Sequence, residues 1–186
     1  MLVTYPSQML RTVTSLIAPE EVPKFSNLGW QMLRFMEALE GVGLAAPQIG
    51  VPRSLLVYNV GQPQILINPE ITGTHGTQTD IESCLSLPGL RCEIDRAMQI
   101  EVKYLDENGA EVKREASGLE ARVIQHEIDH LQGKLFIDLS PVVKKQIQVD
   151  AQKGRFHEAG RNKVRRVKKD QPDLVEQVVA TIKDLS

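Results

Sequence analysis

The sequence predicts an α+β fold, with mixed or antiparallel sheets packed around one central helix and a further helix at the C-terminus. Three observations carry this. Strand-like stretches cluster before a single central helix, whereas a parallel sheet needs strands and helices in alternation. "MQIEVKYLDENGAEVKREA" (98–116) alternates about Asn108-Gly109, a strong hairpin signal. "GLEARVIQHEIDHLQG" (118–133) has helical periodicity and closes on Gly133.

Taken in order, "SNLGWQMLRFMEALEG" (26–41) places Leu28, Met32, Phe35, Met36 and Leu39 at helical spacing, with Ser26 or Asn27 as cap and Gly41 as stop. "GVGLAAPQIGVP" (41–52) reads as a loop punctuated by Gly and Pro. "SLLVYNV" (54–60) and "QILINPEI" (64–71) read as strands, and "IESCLSLPG" (81–89) as turn-rich. Residues 141–152 and 173–185 read as helices, and the basic stretch between them as partly mobile. Residues 1–140 form the expected metallohydrolase domain, and 141–186 a helical, basic extension of it.

The 186 residues suit one domain with a proper core, and with aromatics at 4% that core is aliphatic. No apolar run is long enough for a membrane helix, and the N-terminus lacks a basic-then-apolar leader. Only Cys84 and Cys92 occur, too few for a disulfide scaffold, so the expected compartment is the cytoplasm. The formal net charge is −2 but unevenly spread. Residues 140–170 hold ten Lys and Arg against three acids (Asp150, Glu158 and Asp170), which leaves an acidic body.

"QHEIDHLQG" (125–133) carries the chemistry. On a helix, residues four apart share one face, so His126 and His130 both point at one ion. Glu127 sits about 100° round the helix and reaches water beside the ion without ligating it. A third ligand is needed. A histidine six residues on is ruled out, because that position is Phe136. Glu158, in the basic segment, is a weak candidate. A thiolate remains, and spacing does not choose between Cys84 and Cys92.

"GVGLAAPQ" (41–48), "ESCLS" (82–86) and "QHEIDHLQG" occur together and in this order, and on them the chain resembles peptide deformylases over about residues 1–140. The resemblance implies metal ligands Cys84, His126 and His130, and Glu127 as acid/base. It also implies that Gln48 and the backbone N–H of Leu85 face the substrate carbonyl. The implied reaction is hydrolysis of the N-formyl group from formyl-Met peptides, with release of formate. One departure stands out: Ser83 replaces the family's usual Gly, harmless if the backbone there is extended and strained if φ is positive.

A Cys/His/His set suits ferrous iron or zinc. The resemblance favours Fe2+ in the cell, with Zn2+, Ni2+ or Co2+ able to take its place. Leu119 and Val123 continue the stripe of His126 and His130, as pocket lining for an unbranched Met side chain. Val42 joins them by resemblance, Gly43 by close approach of a bound peptide, and Arg91 by facing that peptide. Glu82 is expected to orient a ligand histidine or pair with Arg96, Arg122 to pair with an acid, and Asp129 to hold the helix by ion pairs. Residues 153–169 are expected to contact ribosomal RNA electrostatically; no DNA or membrane partner is expected. The rival readings are a zinc peptidase cutting unformylated chains and a non-enzymatic interaction protein with a structural metal, which needs a fourth protein ligand.

Overall fold

The computed structural model describes residues 2–140 and 155–185. Helix α1 spans Val22–Ala38. Its start precedes Ser26 by four residues because Pro23 lies in the first turn, where its missing N–H costs nothing. Ser26 is therefore inside the helix rather than capping it, and its hydroxyl donates to the Glu107 carbonyl at 2.6 Å. The left-handed residue after α1 is Glu40, at φ 59°, rather than Gly41.

Among the described residues seven strands follow: β1 (Gly43–Ala45), β2 (Leu55–Asn59), β3 (Pro63–His75), β4 (Gln78–Cys84), β5 (Leu87–Arg96), β6 (Gln99–Leu105) and β7 (Glu111–Ser117). The first is a correction, since 41–52 read as loop: β1 occupies Gly43–Ala45, and a 3-10 turn covers Ala46–Ile49. The turn-rich reading of 81–89 is also corrected, because the turn shrinks to Leu85-Ser86 between two long strands. One sheet has the order β1-β2-β3-β6-β7, while β4 and β5 pair separately. Every strand pairing among the described residues is antiparallel. The β6–β7 hairpin turns at Asn108-Gly109 as predicted, with Gly109 at φ 83°.

Helix α2 (Gly118–Leu131) closes on Gly133, whose φ is 68°. A side chain there would also strike the Arg11 carbonyl, 2.5 Å from an added Cβ. Helices α3 (Arg155–Asp170) and α4 (Pro172–Asp184) end the chain. Residues 155–170, read as partly mobile, are thus a four-turn helix. The helix expected over 141–152 lies outside the described residues.

Strand β2 is buried on both faces, and this sets the layers. Leu55 and Val57 pack against α1, together with Val164 and Val167 of α3 and Leu174 and Val178 of α4. Leu56 and Tyr58 face the other way, onto Ala121, Ile124, Ile128 and Leu131 of α2. A third cluster joins the β4–β5 hairpin (Cys84, Leu87, Cys92, Ile94) to Phe136 and to Phe156 of α3. Helix α2 is therefore central, between the large sheet and the small one.

Candidate metal centre

Strand β4 delivers Cys84 at its last position, and α2 delivers His126 and His130 one turn apart. The ligand atoms of these three buried residues all lie within 4.8 Å of one another. Cys84 Sγ is 3.2 Å from His130 Nε2. Sulfur and nitrogen bound to one tetrahedral zinc-sized ion, at about 2.3 and 2.0 Å, stand about 3.5 Å apart. The donor set therefore fits a divalent cation in distance and in kind. His126 Nδ1 lies 2.8 Å from Glu82 Oε2, which leaves Nε2 as the free donor. His130 Nδ1 is buried without a hydrogen-bond partner. Cys92 is equally buried but belongs to no such group among the described residues, and burial pushes its thiol up. Glu158 is exposed on α3.

Glu82 anchors the centre. Arg96 donates to it from Nε (2.9 Å) and Nη2 (3.1 Å), and Arg122 from Nη1 (2.7 Å). Burial alone would raise this carboxyl, but hydrogen bonds from His126 and Arg96 bring it down to about 2. Arg96 also reaches Asp129 at 2.5 Å, so Asp129 does hold the helix by an ion pair. Glu82 was expected to orient a histidine or to pair with Arg96, and it does both. The network ties β4, β5 and α2 together and orients the His126 ring through its Nδ1.

Glu127 is 4% exposed, and its Oε2 has no hydrogen-bond partner. Burial pushes its carboxyl up to about 7. Gly43 makes room for it: a Cβ on Gly43 would stand 2.4 Å from Glu127 Oε1. Gln48 is locked from two sides. Its Oε1 accepts from Ala45 N–H at 2.7 Å, and its Nε2 donates to Ser86 Oγ at 3.2 Å, with Cys84 Sγ 3.5 Å away. The Ser86 hydroxyl in turn donates to the Val3 carbonyl at 2.8 Å.

These groups floor a cavity of about 430 Å³. Its walls include every residue expected to meet substrate: Val42, Gly43, Gln48, Ser83, Leu85, Arg91, Leu119 and Val123. Cys84, His126 and Glu127 also open onto it, whereas His130, 1% exposed, stands behind them. Ser83 lies in extended β4, paired with Arg91, and is not among the positive-φ residues, so its replacement of glycine carries no backbone strain. Arg122 pairs with Glu82 as expected and lines the wall as well. Sequence reasoning missed several residues, Pro88, Gly89 and Leu90 of the cavity wall among them. Ser86 lay inside the quoted motif as a hydroxyl next to the turn. Glu40, Ile81 and Lys163 also line the cavity, and no local pattern placed them there.

The chain is similar to known proteins in sequence and in fold. The family model described as polypeptide deformylase matches residues 1–146. A peptide deformylase of Stenotrophomonas maltophilia (strain K279a) is 43% identical over 162 residues, covering 83% of this chain and 95% of its own. A solved peptide deformylase from Legionella pneumophila superposes with a TM-score of 0.76 at 34% identity, covering 86% of this chain and 96% of that one. A class I type b enzyme from Acinetobacter baumannii, solved with Met-Ala-Ser bound, gives 0.72 at 28% identity over 75% of this chain and 96% of its own.

Proposed function

The chain belongs to the peptide deformylase family, metal-dependent hydrolases that remove the N-formyl group from nascent peptides, and from that premise we propose how its own residues divide the work. The observation that carries the proposal is the meeting of three metal-type donors with one buried carboxylate at a cavity floor. Cys84, His126 and His130 would hold a divalent ion. When bound, it supplies the Lewis acidity that makes water a nucleophile near neutral pH. Glu127 takes the proton of that water and returns it to the departing amine, so that formamide and water become formate and a free N-terminus. A carboxyl lifted towards 7 by burial suits both halves of this transfer. Gln48 Nε2 and the Leu85 N–H receive the developing negative charge on the formyl oxygen.

Val42, Leu119 and Val123 take the methionine side chain, while Gly43 and Ser83 offer their backbone to the peptide and Arg91 faces it. The peptide Met-Ala-Ser held by the Acinetobacter enzyme is the deformylated form of such a substrate. The Cys/His/His set suits ferrous iron and zinc alike; the family resemblance favours Fe2+ as the cellular ion, with zinc, nickel or cobalt competent to replace it. No described helix is long and apolar enough to cross a membrane. The basic residues of 153–169 contact ribosomal RNA in this reading; within the described part, Arg161, Arg165, Arg166, Lys168 and Lys169 are exposed on α3.

Formate release tests the reading. The anaerobically purified protein should release formate from formyl-Met-Ala-Ser and leave the acetyl analogue intact. Glu127→Ala should keep one ion per chain and lose at least about 100-fold in kcat. Cleavage of unformylated peptides would favour a general peptidase. Undiminished turnover in Glu127→Ala would remove the proposed base.

A further inference from the structure

The cavity has one wall residue from far along the chain. Lys163, on α3, lines it together with Arg91 of β5 and Glu40. Its position is fixed by packing. Phe156 lies in the cluster that holds Cys84, with its ring edge-on to Tyr5 at 6.1 Å between centroids. Gly160 is pressed against Thr4, whose Cγ2 would be 2.4 Å from an added Cβ. Val164 and Val167 sit in the main core. With 160, 164 and 167 on the buried face, Lys163 stands beside that face and leans over the cavity instead of into solvent, and it is only half-exposed.

The charges at this rim do not cancel. Glu40 is paired with Arg166 at 3.1 Å. Deeper in, Glu82 is shared between Arg96 and Arg122. Arg91 and Lys163 have no ion-pair partner among the described residues, so the rim carries uncompensated positive charge. A peptide whose formyl end reaches Glu127 at the floor must lead its following residues past this rim.

We propose that Lys163 is a specificity-determining residue that favours substrates with an acidic side chain in the first residues after the methionine. The inference rests on the deformylase reading and adds a substrate class to it. Charge complementarity at a partly wet rim acts chiefly on binding, so the preference appears in KM and weakens with salt.

The test compares C-terminally amidated formyl-Met peptides carrying Glu, Gln or Lys at the second and third positions in turn. The wild-type enzyme should rank them Glu, Gln, Lys in kcat/KM at one of those positions at least. Lys163→Glu replaces attraction with repulsion and should lower the Glu-to-Lys ratio about fivefold, and Lys163→Met about twofold. Both changes should lie in KM and shrink in 0.5 M salt, the salt level being about that of strong screening. Lys169→Glu makes the same charge change six residues further along α3, off the cavity wall, and should leave the ratio unmoved. An unchanged ratio in Lys163→Glu at both positions, with the peptides still turned over, would overturn the inference. So would an equal shift in Lys169→Glu, which would mean a diffuse field rather than a contact. If no formyl peptide released formate, the deformylase reading itself would fall, and the inference with it.

Discussion

Gly43 and Glu127 occupy one another's space, and that contact decides what a single methyl group does to the reaction. A Cβ at 43 would fall 2.4 Å from Glu127 Oε1, too close without displacing the carboxylate. Gly43→Ala should therefore keep the fold and the metal content and reduce kcat, by about 10-fold or more if the carboxylate moves by an ångström; steady-state kinetics beside metal analysis check this. In the proposed mechanism the same carboxylate sets the acid side of the pH profile. Burial raises it from 4.5 to about 7, and a cation at the three donors draws it back down. Glu127 must be ionised to act as base, so kcat/KM should fall about tenfold per pH unit below a midpoint lying between 4.5 and 7. A profile flat through that window, in metal-buffered solution, contradicts the assignment. At this scale the sequence was most legible where chemistry has a fixed spacing. The histidines four apart on a helix needed no structure to be paired. Spacing alone left Cys84 and Cys92 open; the resemblance named Cys84, and among the described residues it is Cys84, and not the equally buried Cys92, that meets the two histidines.

Helix α3 shows how an element escapes a sequence reading. Its lysines and arginines dominate the composition and suggested a partly mobile segment, yet Phe156, Gly160, Val164 and Val167 recur at steps of four, four and three. Those four positions form one stripe, and burial of that stripe holds the helix. Helix α1 escaped by its start. Pro23 argues against a helix interior but favours a first turn, and the reading that began at Ser26 missed the second meaning. The β4–β5 hairpin was hidden because Pro88 and Gly89 signal a turn, whereas the chain turns three residues earlier at Leu85-Ser86. The packing of α3 carries its own prediction. Phe156→Ala should cost about 3 kcal/mol in urea unfolding, the usual price of deleting a buried aromatic ring. It should also weaken metal retention, because Phe156 belongs to the cluster that holds Cys84. Unaltered stability would mean that α3 is not anchored where Lys163 needs it.

Across the whole molecule, the cavity is made where pieces distant in the chain meet. The large sheet supplies β1 with Gly43, the small hairpin supplies Cys84 and Leu85, and α2 supplies both histidines and Glu127. The buried group of Glu82, Arg96, Arg122 and Asp129 locks hairpin to helix, so the coordination geometry depends on long-range packing rather than on any one segment. The α+β architecture was readable from hairpin signals and from a single central helix. The cavity walls were readable only in part, because Glu40, Ile81 and Lys163 arrive there through tertiary packing. All of it converges on one coordination sphere, and X-ray absorption of the zinc-loaded protein tests that sphere directly. The account predicts a single sulfur at about 2.3 Å together with two imidazole nitrogens at about 2.0 Å, and loss of the sulfur signal in Cys84→Ser but not in Cys92→Ser. A shell without sulfur, or one whose sulfur survives in Cys84→Ser, would contradict it.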